Sequence, residues 1–165
     1  MEAASEFDGD DGDAAPGERE KRFYLAPDDE IVRAPSIGNR TAGRLVDAGI
    51  RRVRDLLKCN PADVASRAGG RFITAARIVD WQDQARLVCT IPWLRGTHAQ
   101  LLVGAGYRQI ADVENADGVA VWNDITRFAM TRDGQSVLRA NPPPDVERVA
   151  QWVEHASLAE PARAA

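Results

Sequence analysis

Apolar side chains along this chain recur at steps of three and four residues, punctuated by proline and glycine. That spacing is the signature of helices with one buried face. The first clear case starts at residue 39 or 40, runs through Ala42, Leu45 and Val46, and stops at Gly49, a glycine expected just past a helix end. Ahead of it, Pro35 cannot continue a helix and turns Ala34 away from helical angles, while Gly38 permits a tight turn. A short helix is predicted over residues 52–57, and Asn60-Pro61 starts another with proline in its first turn. Thr74 reads as the cap of a longer helix ending near Cys89, with Ile78, Trp81, Ala85 and Val88 on one face. Arg77, Asp80, Gln84 and Arg86 fall on its wet side. Val121, Trp122, Ile125 and Phe128 mark a helix over 118–131. After Pro142, Pro143 and Pro144, a last helix carries the stripe Val146, Val149, Trp152 and Val153. No segment alternates with a period of two for long, so the expected fold class is all-α.

Two of these blocks are copies of each other. Laid over one another without a gap, Pro35 meets Pro92, Ile37 meets Leu94, Ala42 meets Ala99, and Leu45-Val46 meets Leu102-Val103. Ala48-Gly49 then meets Ala105-Gly106, Arg51 meets Arg108, Val53 meets Ile110, and Asp55 meets Asp112. An apolar stripe can align by chance, but a proline, an Ala-Gly pair and an aspartate in one register signal an internal repeat. The expected architecture is two similar helical units, about 31–66 and 88–127, joined by the longer helix and covered by the C-terminal one.

Composition sets the limits of this body. The 165 residues, 44% hydrophobic and 28% charged, suit a single globular domain. Residues 1–22 are rich in Gly, Asp, Ala and Glu, with Phe7 the one large apolar side chain, and are expected to be a disordered acidic tail. The domain is expected over 23–157 and a frayed end over 158–165. Charge is uneven. Glu2, Glu6, Asp8, Asp10, Asp11, Asp13, Glu18 and Glu20 oppose only Arg19, Lys21 and Arg22 in the tail, whereas Arg33, Arg40, Arg44, Arg51, Arg52, Arg54 and Lys58 face only Asp47 and Asp55 between residues 33 and 58. The tail could act in solubility alone, or compete with an anionic partner for these cations. There is no apolar run of membrane-spanning length and no signal-like start, so the expected setting is the cytoplasm, without a membrane. Cys59 and Cys89, far apart and beside leucines and valines, read as small core residues. With only His98 and His155 available, no metal site is expected.

The stretch Ala34-Pro35-Ser36-Ile37-Gly38-Asn39-Arg40-Thr41-Ala42-Gly43-Arg44-Leu45 resembles a helix-hairpin-helix motif. The resemblance implies a bend whose backbone N–H groups, at a helix N-terminus, hold a DNA phosphate without contacting a base. Candidate nucleic-acid-binding residues are therefore Ser36, Ile37, Gly38, Asn39, Arg40, Thr41 and Arg44, with the basic Arg51, Arg52 and Arg54 beyond the helix. Many family hairpins carry glycine at the place of Ser36; serine can donate to phosphate but tolerates positive φ less well. In the second copy Trp93 replaces Ser36, and Arg95, Gly96, Thr97 and His98 form a weaker candidate bend. Trp93 suits either the core or an exposed anchor for a partner. Helix-hairpin-helix DNA glycosylases carry a lysine in the hairpin and an aspartate downstream. Here Arg40 holds the lysine's place and Lys58 stands near that of the acid, so no enzyme is expected. Neither a cofactor nor a small-molecule substrate is implied.

Phe23-Tyr24-Leu25, the first bend, the run from Asp80 to Leu87, Pro92-Trp93-Leu94-Arg95-Gly96 with His98-Ala99-Gln100-Leu101-Leu102, and Gly134-Gln135-Ser136-Val137-Leu138-Arg139 through Pro144-Asp145 together resemble a bacterial domain-of-unknown-function family, the 4332 family, with tandem helix-hairpin-helix units. The resemblance implies the architecture and assigns no chemistry. The expected function is a non-catalytic module that binds DNA without strong sequence choice, or a scaffold for a protein partner.

Overall fold

Capping residues, prolines and glycines divide the chain into nine α-helices among the residues described, 20–161, in a computed structural model of the protein. The helices are α1 (Asn39–Asp47), α2 (Val53–Lys58), α3 (Pro61–Ala68), α4 (Ala75–Thr90), α5 (Gly96–Gly104), α6 (Ile110–Glu114), α7 (Gly118–Ala129), α8 (Arg132–Leu138) and α9 (Val146–Ala156). One turn of 3₁₀ helix, Ile31–Arg33, precedes them. An isolated antiparallel bridge between Glu30 and Arg52 is the only β pairing among the described residues, and the fold is all-α.

The corresponding blocks adopt matching backbones. α1 and α5 start and stop at equivalent positions, Asn39 with Gly96 and Asp47 with Gly104. Each ends in the same left-handed stop. Gly49 (φ +96°) donates to Val46 while Ile50 N–H reaches back to the Leu45 carbonyl, and Gly106 (φ +104°) and Tyr107 repeat this on Val103 and Leu102. Such a stop needs a residue without Cβ strain at positive φ, which is why the Ala-Gly pair recurs. Asp55 then accepts the amides of Arg51 and Arg52, each at 3.0 Å, and Asp112 accepts those of Arg108 and Gln109 at 3.0 and 2.9 Å. The aspartate shared by the two copies is thus a return cap for α2 and α6.

α4 joins the two blocks, packing on α2 and α3 of the first and on α5 of the second. Thr74 caps it, accepting from Arg77 N–H at 3.1 Å. Ile78, Trp81, Ala85 and Val88 are buried as their spacing predicts. Gln84 is the exception to the expected wet side, being 8% exposed, and Asp83 is 6% exposed. Elements of both blocks pack on α4, so Asp83 and Gln84 become internal joints while Arg77 stays exposed. α7 packs on α8 and α9, and α9 also covers α6. α8 is absent from the sequence reading. It is short and carries a mid-helix glycine, Gly134, where a Cβ would sit only 2.1 Å from the Phe128 carbonyl oxygen. The core is one cluster in which Leu45, Leu56, Leu102 and Ile125 have no exposure. Truncating one such leucine to alanine costs about 2–5 kcal/mol.

The expected tail over 1–22 lies outside the described residues up to residue 19, and the last four residues of the expected frayed end do as well. The flanking pieces that are described are tied down. Lys21 Nζ donates to the Leu158 carbonyl at 2.9 Å and pairs with Glu160 at 3.1 Å, Arg22 accepts from Trp93 N–H at 2.7 Å, and Glu160 N–H donates to Thr90 at 2.9 Å. Periodicity cannot register such bonds, which join residues far apart in the chain, 137 and 139 positions for the two made by Lys21.

Candidate nucleic-acid interface

The first bend is held from beneath by Ala34, Pro35 and Ile37, all buried. Its left-handed residue is Ser36 (φ +71°), whereas Gly38 is extended at φ −85°. The turn therefore does not draw on the freedom of Gly38. A non-glycine residue in the left-handed region costs roughly 1–2 kcal/mol, and Ser36 is held there by two hydrogen bonds. Its Oγ donates to Gln84 Oε1 of α4 at 2.7 Å and accepts from Gln100 Nε2 of α5 at 2.8 Å. The hydroxyl considered a phosphate donor is thus engaged internally.

What Gly38 provides is open space. Apart from its chain neighbours, no heavy atom of the described residues lies within 4 Å of where its Cβ would be, and the residue makes no side-chain cap. The helices α3, α4, α7, α8 and α9 each have an amide taken by a side-chain oxygen of their N-cap, from Asn60, Thr74, Asp117, Thr131 and Asp145. At α1 those amides face an exposed surface formed by Gly38, Asn39 and Arg40. Thr41 is half-buried and Arg44 is exposed one turn further along.

Tertiary structure adds residues that sequence spacing did not flag. Arg40, Thr41 and Arg44 form one wall of a groove of about 440 Å³, and the loop of Gly69, Gly70, Arg71, Phe72 and Ile73 forms the other. Gly70 has φ +85°, a left-handed conformation that suits glycine, and the Arg44 guanidinium lies 2.9 Å from where its Cβ would be. Arg71 and Phe72 are exposed. The one signal for them in the sequence is a Gly-Gly-Arg-Phe run before the Thr74 cap. Ion pairs among the described residues engage Lys21, Arg33, Arg54, Arg67, Arg86, Arg108 and Arg127, and leave Arg40, Arg44 and Arg71 without a carboxylate within pairing distance.

Arg51, Arg52 and Arg54 do not join this group. They follow the far end of α1, about 13 Å from its start at 1.5 Å per residue, and run beside residues 27–31. Arg52 donates to the Asp28 carbonyl at 2.8 Å, and Arg54 pairs with the Asp28 carboxylate. Burial pushes the Asp55 carboxyl up, but its bonds from the Arg52 and Arg51 amides and the nearby Arg54 and Lys58 charges outweigh this and hold it below its ordinary value.

The second bend has the same backbone and a different filling. Trp93 is again left-handed, at φ +63°, and its ring lies 4.7 Å from that of His155. Arg95 stacks over Tyr24 at 4.2 Å and donates to its hydroxyl at 3.1 Å. Pro35 packs over Gly96. His98 accepts from Arg95 N–H through Nδ1 at 3.2 Å and stacks on Trp152 at 4.4 Å. Burial, with the Arg148 and Arg95 charges, pushes its pKa down to about 4, so the ring is neutral at pH 7. Of this set Arg95 and Thr97 are exposed, and Gly96 and His98 are half-buried. Arg108, the counterpart of Arg51, is clamped to α4 through Asp83 at 2.7 Å and Asp80 at 2.5 Å.

Among the described residues, no group of three or more His, Cys, Asp or Glu could hold a metal ion, and no helix is long and apolar enough to cross a membrane. Neither a curated protein nor a solved structure matches the chain. A family match extends over residues 35–158, from the first bend past the end of α9, and by that match the chain belongs to the domain-of-unknown-function family DUF4332.

Proposed function

We propose that this protein is a non-catalytic, tandem helix-hairpin-helix-like module that binds DNA through backbone phosphates at the first bend. The observation that carries this reading is the open, uncapped start of α1 beside Arg40, Arg44 and Arg71. Helix-end amides and the dipole favour an anion there, and guanidinium groups supply the charge-assisted bonds. No base edge enters such a contact, so the binding is tolerant of sequence. Cys59 and Cys89, both free thiols, suit a reducing compartment, and we read the module as cytoplasmic.

The test is an anisotropy titration of a labelled duplex at about 50 and 200 mM salt. With three or four phosphates engaged, a slope near −0.9 per phosphate gives a roughly 40- to 150-fold loss of affinity between the two conditions. Arg40→Gln reduces the slope by about one. No binding at the lower salt overturns the proposal. In its place would stand a protein-binding scaffold, favoured by the engagement of Arg52, Arg54, Arg95 and His98 in internal contacts.

A further inference from the structure

A single aromatic ring sits where the basic groove opens into a second, larger one. Phe72 is 51% exposed, yet its ring is not loose. The Arg77 guanidinium lies 4.3 Å from its centroid, and the Trp81 ring is 6.2 Å away, tilted by 38°. Phe72 lines both the 440 Å³ groove that holds Arg40 and Arg44 and the neighbouring groove of about 1080 Å³ between α4, α5 and the segment around Pro142 and Pro143. A pinned, half-exposed ring beside three arginines that have no carboxylate partner among the described residues has the composition of a platform for a nucleobase.

The geometry points to single-stranded DNA as the ligand: we propose that one base stacks on Phe72 while the adjoining phosphate meets the start of α1. This rests on the phosphate reading given above and narrows its ligand. In a duplex the faces of each base are covered by neighbouring pairs, so Phe72 has nothing to stack on unless a base is extruded. In a single strand every base has a free π face, and an aromatic receives it whatever its identity. Arg77 reinforces the platform by holding the ring from one side. The strand then continues along the larger groove, where Arg77, Arg139 and Arg148 stand among the lining residues.

The experiment titrates the full-length protein with a labelled mixed-sequence oligonucleotide of about 12 nucleotides and with the corresponding duplex, at low salt. Stacking of one base is worth about 5- to 150-fold in affinity, so the single strand is expected to bind more tightly than the duplex by a factor in that range. Phe72→Ala is expected to erase the difference, and Phe72→Trp to keep it. Phe72→Leu separates ring from bulk, because it preserves an apolar side chain without a π face. Arg40→Gln is expected to weaken both ligands. Equal binding of strand and duplex, unmoved by Phe72→Ala, overturns the stacking and leaves the phosphate site standing. Binding of neither ligand overturns the phosphate site as well.

Discussion

The two bends share a backbone and differ in what fills them. Both have a left-handed residue two positions before the helix N-cap, a nine-residue helix, and the same glycine stop. At the first, the helix start lies on an exposed surface between arginines that have no carboxylate partner among the described residues. At the second, Pro35, Tyr24 and Trp152 occupy the space around Gly96, Arg95 and His98. A repeated scaffold need not carry a repeated function, since the side chains placed around the bend decide whether its amides are available. The second bend is a joint and the first is a surface.

The strongest way to break this comparison is to remove the filling of the second bend. Trp152 is 3% exposed and stacks on His98. Trp152→Ala is expected to cost about 3–5 kcal/mol in chemical denaturation, while the folded fraction keeps its affinity for DNA within about twofold. A loss of affinity as large as that of Arg40→Gln would mean that the second bend also binds.

Next comes pH. The folded pKa of His98, about 4, lies below its ordinary value of 6.5, so the unfolded chain takes up the proton first. The neutral ring therefore contributes stability that is complete above pH 6.5 and is lost as pH falls toward 4. The window corresponds to up to about 3 kcal/mol. Comparing denaturation at pH 7 and pH 4.5 for the protein and for His98→Gln checks it. The variant should show a distinctly shallower decline, and parallel curves would refute the neutral burial of His98.

The smallest effect concerns the hydroxyl that the first bend turns inward. Ser36→Ala removes two hydrogen bonds and leaves the left-handed strain, an expected cost of about 1–2 kcal/mol. Ser36→Gly loses the same bonds but relieves the strain, so its denaturation midpoint should lie closer to that of the unaltered protein. If alanine and glycine behave alike, strain at Ser36 does not matter.

Much of the fold was legible because punctuation and periodicity are local. Pro35, Gly49, Pro61, Thr74 and the run Pro142-Pro143-Pro144 mark element ends whatever surrounds them, and α1, α4, α7 and α9 follow within a residue or two. Gln84 could not be placed correctly, because a helix packed against both blocks buries polar positions that an amphipathic pattern assigns to water. The candidate site was half legible. Gly38, Asn39, Arg40 and Arg44 follow from the motif, but Arg71 and Phe72 reach them only through the packing of α3 against α1, where Arg67 donates to the Ala48 carbonyl. Counting arginines along the chain also overstated the patch, since Arg52 and Arg54 fold back onto Asp28.

The clasp of Lys21 on Leu158 and Glu160 has a consequence for engineering. The beginning and end of the helical body leave it side by side, so a short linker could close the chain into a ring or let it be reopened at an exposed turn. The same adjacency would allow the body to be spliced into a surface loop of a host protein without prying that loop apart.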